Sequence, residues 1–203
     1  ETLFKPYVIL NREMVDTAGN RQIVRIALIG FRPPQITNWD RHHLTDKVFT
    51  RDIVETAQAY VPHLKSLGAD VIIALSHSGI AQLDSACRLE NACLGLAQIP
   101  EVDAIIGGHS HQIFPGPEFV QCGKIDPRRG TLHGKPTALA GFWGSHLSVV
   151  DLTLRRGETG WRVDDHAVAV KPVAERNTDN TLAYLAANDP AFMGKFQPIH
   201  QET

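Results

Sequence analysis

The sequence lacks the features that define several large classes of protein. Its 203 residues include only three cysteines, at positions 87, 93 and 122, and none has the CxxC spacing of a zinc or redox site. No apolar run approaches the roughly 20 residues that a membrane-spanning helix needs. The net charge of −2 provides no field that would hold a polyanion. We therefore expect neither a membrane nor a nucleic-acid polymer as a partner, and the cysteines indicate neither compartment nor fold.

The composition is that of an ordinary globular domain. Hydrophobic residues make up 43% of the chain and charged residues 21%, which is sufficient for one domain with a sizeable core. The first six residues do not resemble a signal peptide, and the chain does not begin with methionine. We therefore expect that the start of a longer precursor has been removed.

The first half of the chain alternates between strand and helix patterns. Apolar, β-branched runs predict buried strands at residues 23–29, 71–75 and 102–106. Apolar stripes of helical period predict helices at residues 50–67, with Thr50 as the N-cap, and at about 83–97. Strands that alternate with helices predict right-handed crossovers and a parallel sheet, so the fold class is α/β.

The second half is predicted to be mostly β structure. Residues 137–140 indicate a short strand, and residues 146–154 and 161–170 alternate like a hairpin around residues 156–160. Near the other end of the chain, Gly19-Asn20 is typical of a hairpin turn. One short helix is expected before Pro190. We assign residues 1–175 to the domain and residues 176–203 to a linker or tail.

Two motifs place histidine directly after a predicted strand. They are Ser76-His77-Ser78-Gly79 and Gly107-Gly108-His109-Ser110-His111. Because the carboxyl ends of parallel strands meet at one edge of a sheet, the three imidazoles are expected to converge there. If residues 109–111 are extended, His109 and His111 point to the same side and can reach two neighbouring metals.

Imidazoles in this arrangement suit phosphoester hydrolysis. Imidazole binds zinc, manganese, iron or cobalt, and the pattern does not distinguish among them. Two ions about 3.5 to 4 Å apart can hold a hydroxide and polarise a phosphoryl group, so that no protein nucleophile is needed. The alternative is that strand-end histidines only bond backbone carbonyls, and the spacing by itself leaves both interpretations open.

The two motifs together resemble the last two metal-binding motifs of the calcineurin-like metallophosphoesterases, in the 5'-nucleotidase superfamily. Residues 30–40, with Asn38-Trp39-Asp40, and residues 141–147, Gly-Phe-Trp-Gly-Ser-His-Leu, resemble the periplasmic 2',3'-cyclic-nucleotide 2'-phosphodiesterase/3'-nucleotidase branch. The resemblance covers about residues 5–172 and corresponds to the C-terminal part of the metallophosphoesterase domain.

The resemblance implies a site, a substrate and a fold. His77 and His109 would ligate one divalent ion and His111 a second, in a four-layer αββα sandwich. The implied substrates are 2',3'-cyclic nucleotides and 3'-nucleotides, and the implied location is the periplasm or cell surface. Trp143 and His146 fall in a family-like loop, where they either line the site or pack; we favour packing.

The chain departs from the family where the remaining ligands should be. The family also uses DxH, GD and GNH segments, and none precedes Ile23; Asp40-Arg41-His42 is a formal DxH that matches a different family segment. We therefore expect a part of the domain without its N-terminal sheet elements and without the C-terminal nucleotide-binding domain, inactive alone. The catalytic residues stay unassigned.

Two alternative functions remain open. One is a 5'-nucleotidase or nucleotide-sugar hydrolase relative that has the same metal centre. The other is a non-catalytic remnant that binds one metal, or a partner chain, through the histidines that are present.

Overall fold

The computed structural model describes residues 2–81, 90–187 and 189–201. The first eight strands are β1 (Tyr7–Val15), β2 (Arg21–Phe31), β3 (Val71–Ser76), β4 (Ala104–Gly107), β5 (Ile113–Phe114), β6 (Ile125–Asp126), β7 (Thr131–Leu132) and β8 (Lys135–Ala140). They form one sheet in the order β1-β2-β3-β4-β8-β7-β6, with β5 paired to β8. Two antiparallel pairs follow: β9 (His146–Gly157) with β10 (Gly160–Pro172), and β11 (Ala174–Arg176) with β12 (Leu182–Tyr184). The helices are α1 (Ile36–Trp39), α2 (Arg41–Leu44), α3 (Ile53–Ser66), α4 (Cys93–Ala97) and α5 (Pro190–Gln201).

The centre of the sheet is parallel, which confirms the predicted α/β class. Strands β2, β3, β4 and β8 run in the same direction, and their register places Leu75 beside both Gly30 and Ile106. Strand β1 instead pairs with β2 as an antiparallel hairpin, so the sheet is mixed. The hairpin turns at residues 16–20, where Asp16 accepts hydrogen bonds from the backbone of Ala18 and Asn20, as the Gly-Asn pattern predicts.

The long helix α3 covers one face of this sheet. It buries Ile53, Ala57, Val61 and Leu64 in the main core. The prediction of Thr50 as its N-cap is wrong: the Asp52 carboxylate accepts bonds from the backbone N–H groups of the first turn, whereas the Thr50 hydroxyl donates to Pro34 O. Both residue types cap helices, and the carboxylate stands nearer to the free N–H groups. Of the second predicted helix, at about residues 83–97, residues 93–97 form α4 and residues 90–92 are not helical. Residues 82–89 lie outside the described residues.

The opposite face of the sheet is only partly covered. Val8 is 47% exposed and Leu75 41% exposed, and Leu28, the register partner of Val8, is half-buried. The β9–β10 hairpin, which confirms the predicted one, packs against β8. The αββα layering stays a prediction.

The tail differs from its prediction. The short helix expected before Pro190 is wrong, because residues 182–184 form β12 and pair with β11. Asn180, at a positive φ of 69°, makes the reversal between these strands, and Asp179 accepts a bond from Thr181 N. A helix follows instead at α5. No helix in the described ranges is long and apolar enough to cross a membrane.

Candidate metal centre

Two of the three predicted ligands meet at the carboxyl edge of the sheet. Strand β3 ends at Ser76 and its parallel neighbour β4 ends at Gly107, so the chain leaves both strands at the same side. The rings of His77 and His109 lie 5.2 Å apart between centroids. The loop after β4 bonds to the loop after β3, since Gly108 N donates to Ser78 O at 3.0 Å. Parallel pairing therefore brings the two motifs together.

The segment His109-Ser110-His111 is not extended, so the condition on which the two imidazoles were expected to point to the same side is not met. His109 has a φ of 68° and His111 a φ of 60°, both in the left-handed region. Ser110 N donates to Gly108 O at 2.8 Å, which closes a tight turn. The turn gives the two rings different surroundings: His109 stacks with Trp39, at 5.0 Å, and His111 stacks with Phe142, at 4.7 Å.

A carboxylate fixes the orientation of His109. Glu90 Oε1 lies 2.6 Å from His109 Nε2, and Glu90 is itself held through its backbone, because the Ser78 hydroxyl donates to Glu90 O at 2.7 Å. Ala92 N in turn donates to the Ser78 hydroxyl at 2.6 Å. Ser78, in the first motif, thus positions the carboxylate that orients a histidine of the second motif. With Nε2 engaged, Nδ1 is the ring nitrogen left for a metal.

The electrostatics of the edge favour a neutral His77. Burial lowers the pKa of His77, and the positive charges of His109, Arg32 and His111 lower that pKa further. The neutral imidazole is the form that binds metal ions.

Two buried hydroxyls at this edge have no hydrogen-bond partner within the described part of the chain. They are Ser76 Oγ, at the end of β3, and Ser110 Oγ, between the two histidines. Ser110 packs so closely on Gly79 that any Cβ at position 79 would overlap its hydroxyl. Unpaired buried hydroxyls are uncommon and call for an explanation, such as a ligand or ion.

The donors suit part of a metal centre. Rings 5.2 Å apart can turn two nitrogens toward one ion, and Glu90 supplies the outer carboxylate that ligating histidines commonly have. Within the described ranges, no three His, Cys, Asp or Glu side chains are grouped so that they could hold a metal. Asp40-Arg41-His42 begins α2 and follows no strand, which agrees with its treatment as a chance DxH. The histidines therefore fit as some of the ligands, and their ligand role stays a prediction.

The loop at residues 141–145 lies against His111 through Phe142. Trp143 is 93% exposed, so the packing role favoured for it is wrong. His146 is half-buried and its Nδ1 lies 2.9 Å from Ser145 Oγ. Sequence patterns predicted no role for Glu90, Trp39 or Phe142. Trp39 and Phe142 stood within the family-like stretches, whereas no local pattern marks Glu90.

The sequence relatives of this chain have the names of nucleotide phosphoesterases. No protein-family model matches it. A 2',3'-cyclic-nucleotide 2'-phosphodiesterase/3'-nucleotidase from Haemophilus influenzae is 41% identical over 203 residues, which is all of this chain and 30% of the relative. The trifunctional nucleotide phosphoesterase protein YfkN from Bacillus subtilis is 39% identical, over 100% of this chain and 13% of the relative. The chain thus spans less than a third of each of these relatives.

Solved structures are also similar to this chain. The crystal structure of the calcineurin-like phosphoesterase YfkN from Bacillus subtilis matches with a TM-score of 0.90 and 35% identity, over 100% of this chain and 58% of that one. A sulfate thiohydrolase SoxB, with a TM-score of 0.61 and 21% identity over 98% of this chain and 30% of that one, shares the fold alone. Over its whole length, the chain is therefore homologous to a segment of the 2',3'-cyclic-nucleotide 2'-phosphodiesterase/3'-nucleotidases and has the fold of a calcineurin-like phosphoesterase.

Proposed function

We propose that this chain carries the histidine ligands of a two-metal phosphoester hydrolase that acts on 2',3'-cyclic nucleotides and 3'-nucleotides. The observation that carries the proposal is the pairing of His77 with His109, 5.2 Å apart, at the carboxyl edge of a parallel sheet. The names of the relatives support the substrate class.

In this proposal each histidine has a distinct role. His77 and His109 hold one divalent ion and His111 holds the other, with zinc, manganese, iron and cobalt all suited to imidazole. When bound, such ions would supply a hydroxide nucleophile and polarise the phosphoryl group. Glu90 fixes the His109 ring, while Trp39 and Phe142 brace His109 and His111 from the outside. These contacts hold the imidazoles in place before any ion binds.

The remaining ligands, in this proposal, come from elsewhere in the functional protein. Three neutral imidazoles supply no negative charge, so two dications need a bridging carboxylate as well. The half-covered face with Val8, Leu28 and Leu75 is the surface on which a second sheet would complete an αββα sandwich. We further propose a nucleotide-binding domain beyond this segment, because the relatives are longer than this chain. The proposed periplasmic or cell-surface location rests on the resemblance to the periplasmic branch.

The test combines metal content, intact mass and hydrolysis of adenosine 2',3'-cyclic phosphate by the protein purified from its native source. About two ions per chain and hydrolysis that disappears in His109→Ala would support the proposal. His42→Ala, in the chance DxH, is the matched control and should leave both unchanged. Full hydrolysis by His109→Ala would contradict the ligand assignment.

A non-catalytic metal- or partner-binding role is the second candidate. It is favoured by the lack of a three-residue metal group among the described residues. It predicts metal binding that depends on His109, without hydrolysis of any phosphoester by the intact protein. A 5'-nucleotidase activity would appear instead as hydrolysis of adenosine 5'-phosphate in preference to the 3'-phosphate.

A further inference from the structure

Three segments of the chain meet at Gly79, two residues beyond His77. The first is the loop that follows β3, which contains Gly79 itself. The second contains Asn91, whose Oδ1 accepts a hydrogen bond from Gly79 N at 3.1 Å. The third is the turn after β4, because Ser110, the neighbour of His109, packs on Gly79. Gly79 therefore lies in the contact that joins the two histidine motifs.

This contact requires glycine for lack of space and not for its backbone conformation. Gly79 does not have a positive φ, so alanine could adopt the same backbone without strain. A Cβ on Gly79 would nevertheless overlap Ser110 Oγ and lie 2.6 Å from both Ser110 Cβ and Asn91 Oδ1. Non-bonded heavy atoms pack favourably at about 3.5–4.0 Å. A single methyl group at position 79 would therefore push the segments apart.

The segment that contains Asn91 is held on both sides of this residue. Before it, Glu90 O accepts from the Ser78 hydroxyl at 2.7 Å. After it, Cys93 N donates to Gly79 O at 3.1 Å. Asn91 therefore extends its carboxamide from a fixed backbone, and the bond to Gly79 N determines how closely the loop after β3 approaches that backbone.

We propose that Asn91 is a positioning residue that sets the separation of His77 from His109. Its carboxamide does so by closing on Gly79, where the absence of a side chain lets the turn after β4 pack closely. The inference rests on the proposed function for its chemical consequence, since the two imidazoles are proposed to share one ion. Ligands that are already at the correct spacing lose less conformational freedom when the ion binds.

Substitutions of Asn91 in the intact, metal-free protein measure the spacing directly. Asn91→Leu removes the acceptor at similar volume, and Asn91→Asp keeps an oxygen for Gly79 N. Asn177→Leu is the matched control, because the Asn177 side chain also spans a turn, where it bonds to Thr181 Oγ1. With labelled histidines, the nuclear Overhauser effect between the two imidazoles of the edge reports their separation. We expect a weaker effect in Asn91→Leu and an unchanged one in the other two variants.

Zinc affinity, measured by competition with a chelator, is the second readout. Asn91→Leu should weaken zinc binding about 10- to 100-fold. Asn91→Asp should lose less, and Asn177→Leu should bind zinc like the parent protein. An unchanged Overhauser effect in Asn91→Leu, or equal losses in Asn91→Leu and Asn177→Leu, would overturn the proposal.

A pair of substitutions tests whether close packing at Gly79 sets the spacing. Gly79→Ala should weaken both the Overhauser effect and zinc binding, because its Cβ displaces Ser110. Ser110→Gly removes the atoms that this Cβ meets, so the double variant should recover part of both. Circular dichroism checks that each variant is folded. A double variant no better than Gly79→Ala would overturn the role given to this contact.

The two readouts separate this inference from the function on which it rests. A weaker Overhauser effect in Asn91→Leu, with no zinc bound by the parent protein, would support the positioning role and remove the metal centre. Hydrolysis that His109→Ala abolishes, with an Overhauser effect that Asn91→Leu does not change, would support the hydrolase and remove the positioning role.

Discussion

The two ends of the parallel strands use polar groups in opposite ways. At the amino ends, the Asp70 carboxylate accepts from Arg25 N at 2.8 Å and from Trp161 N at 3.0 Å, and Asp103 accepts from Ile72 N at 2.8 Å. Lys65 adds a bond to Asp70 O. At the carboxyl ends, the hydroxyls of Ser76 and Ser110 have no partner in the described part of the chain.

The backbone shows the same contrast. The residues that enter β3 and β4, Asp70 and Asp103, have none of the positive φ values that His109, His111 and Trp143 show at the other end. Polar groups that are satisfied within the chain stabilise the fold, whereas strained and unsatisfied groups are typical of binding sites. The difference supports the proposal that one end of the sheet stabilises the structure and the other binds a ligand. Mutations at the two ends should therefore have different effects.

Removal of a proposed ligand should have the largest effect on the carboxyl end. His109→Ala should weaken binding of a divalent ion more than about 100-fold, because an imidazole ligand and its Glu90 support are both lost. The free energy of unfolding in the absence of metal should change by less than about 1 kcal/mol. Calorimetry with manganese or zinc and urea unfolding measure the two effects. A large loss of stability without loss of metal affinity would mean that His109 stabilises the fold and does not bind the ion.

Removal of the supporting carboxylate should have the next largest effect. Glu90→Ala should lower metal affinity about 10- to 100-fold, because the His109 ring loses the group that fixes its orientation. Glu90→Gln keeps an acceptor oxygen and should lose less. The same calorimetry checks both variants, with Glu118→Ala, an exposed carboxylate near the edge of a cavity, as the control. If Glu90→Ala binds metal like the parent chain, Glu90 does not position His109.

At the amino end the effects should fall on stability alone. Asp103→Ala leaves Ile72 N without its acceptor and Lys65, 3.7 Å away, without its carboxylate. The expected cost is about 1–3 kcal/mol in the free energy of unfolding, with metal affinity unchanged. Asp103→Asn retains an oxygen for Ile72 N and should cost less. Loss of metal binding in either variant would mean that the two ends are coupled.

The pH dependence of stability tests the role of Asp103 at the amino end. Burial raises the pKa of Asp103 above 3.8, although the Ile72 N–H bond and Lys65 act in the opposite direction. The folded chain then binds its proton more tightly than the unfolded chain, so this group's contribution is present below pH 3.8 and is lost as the pH rises through the raised pKa. Urea unfolding from pH 3 to pH 7 should therefore show Asp103→Asn gaining stability relative to the parent chain.

The smallest effect concerns Cys93, which is bonded to the loop that follows β3. Cys93 is buried, its thiol donates to Ser78 O at 3.0 Å, and burial raises its pKa to about 12. Because the thiolate is the reactive form, iodoacetamide at pH 8 should leave Cys93 unmodified while it alkylates the exposed Cys122. Peptide mass spectrometry distinguishes the two sites. Rapid alkylation of Cys93 would show that its thiol becomes accessible to solvent.

Sequence patterns predicted the strands and the long helix, because these elements depend on neighbouring residues. The apolar runs of β2, β3 and β4 and the amphipathic stripe of α3 are properties of neighbouring residues, and strand order then placed His77 and His109 at one edge. The contact of Glu90 with His109 depends on how the Ser78 hydroxyl holds residues 90–92, which only the folded chain reveals. The left-handed φ of His109 could not be predicted either, since histidine has no strong preference for it.

The Asp70 carboxylate also has a consequence for the order of folding. It bonds to Arg25, on β2, and to Trp161, at the start of β10, 91 positions along the chain. The β9–β10 hairpin is a local structure that can form within microseconds, whereas β2 and β3 must first close a long loop to create this acceptor. Docking of the hairpin is therefore expected to be a late event. In hydrogen exchange, Trp161 N should gain protection after the hairpin's own amides, together with the pairing of β2 and β3.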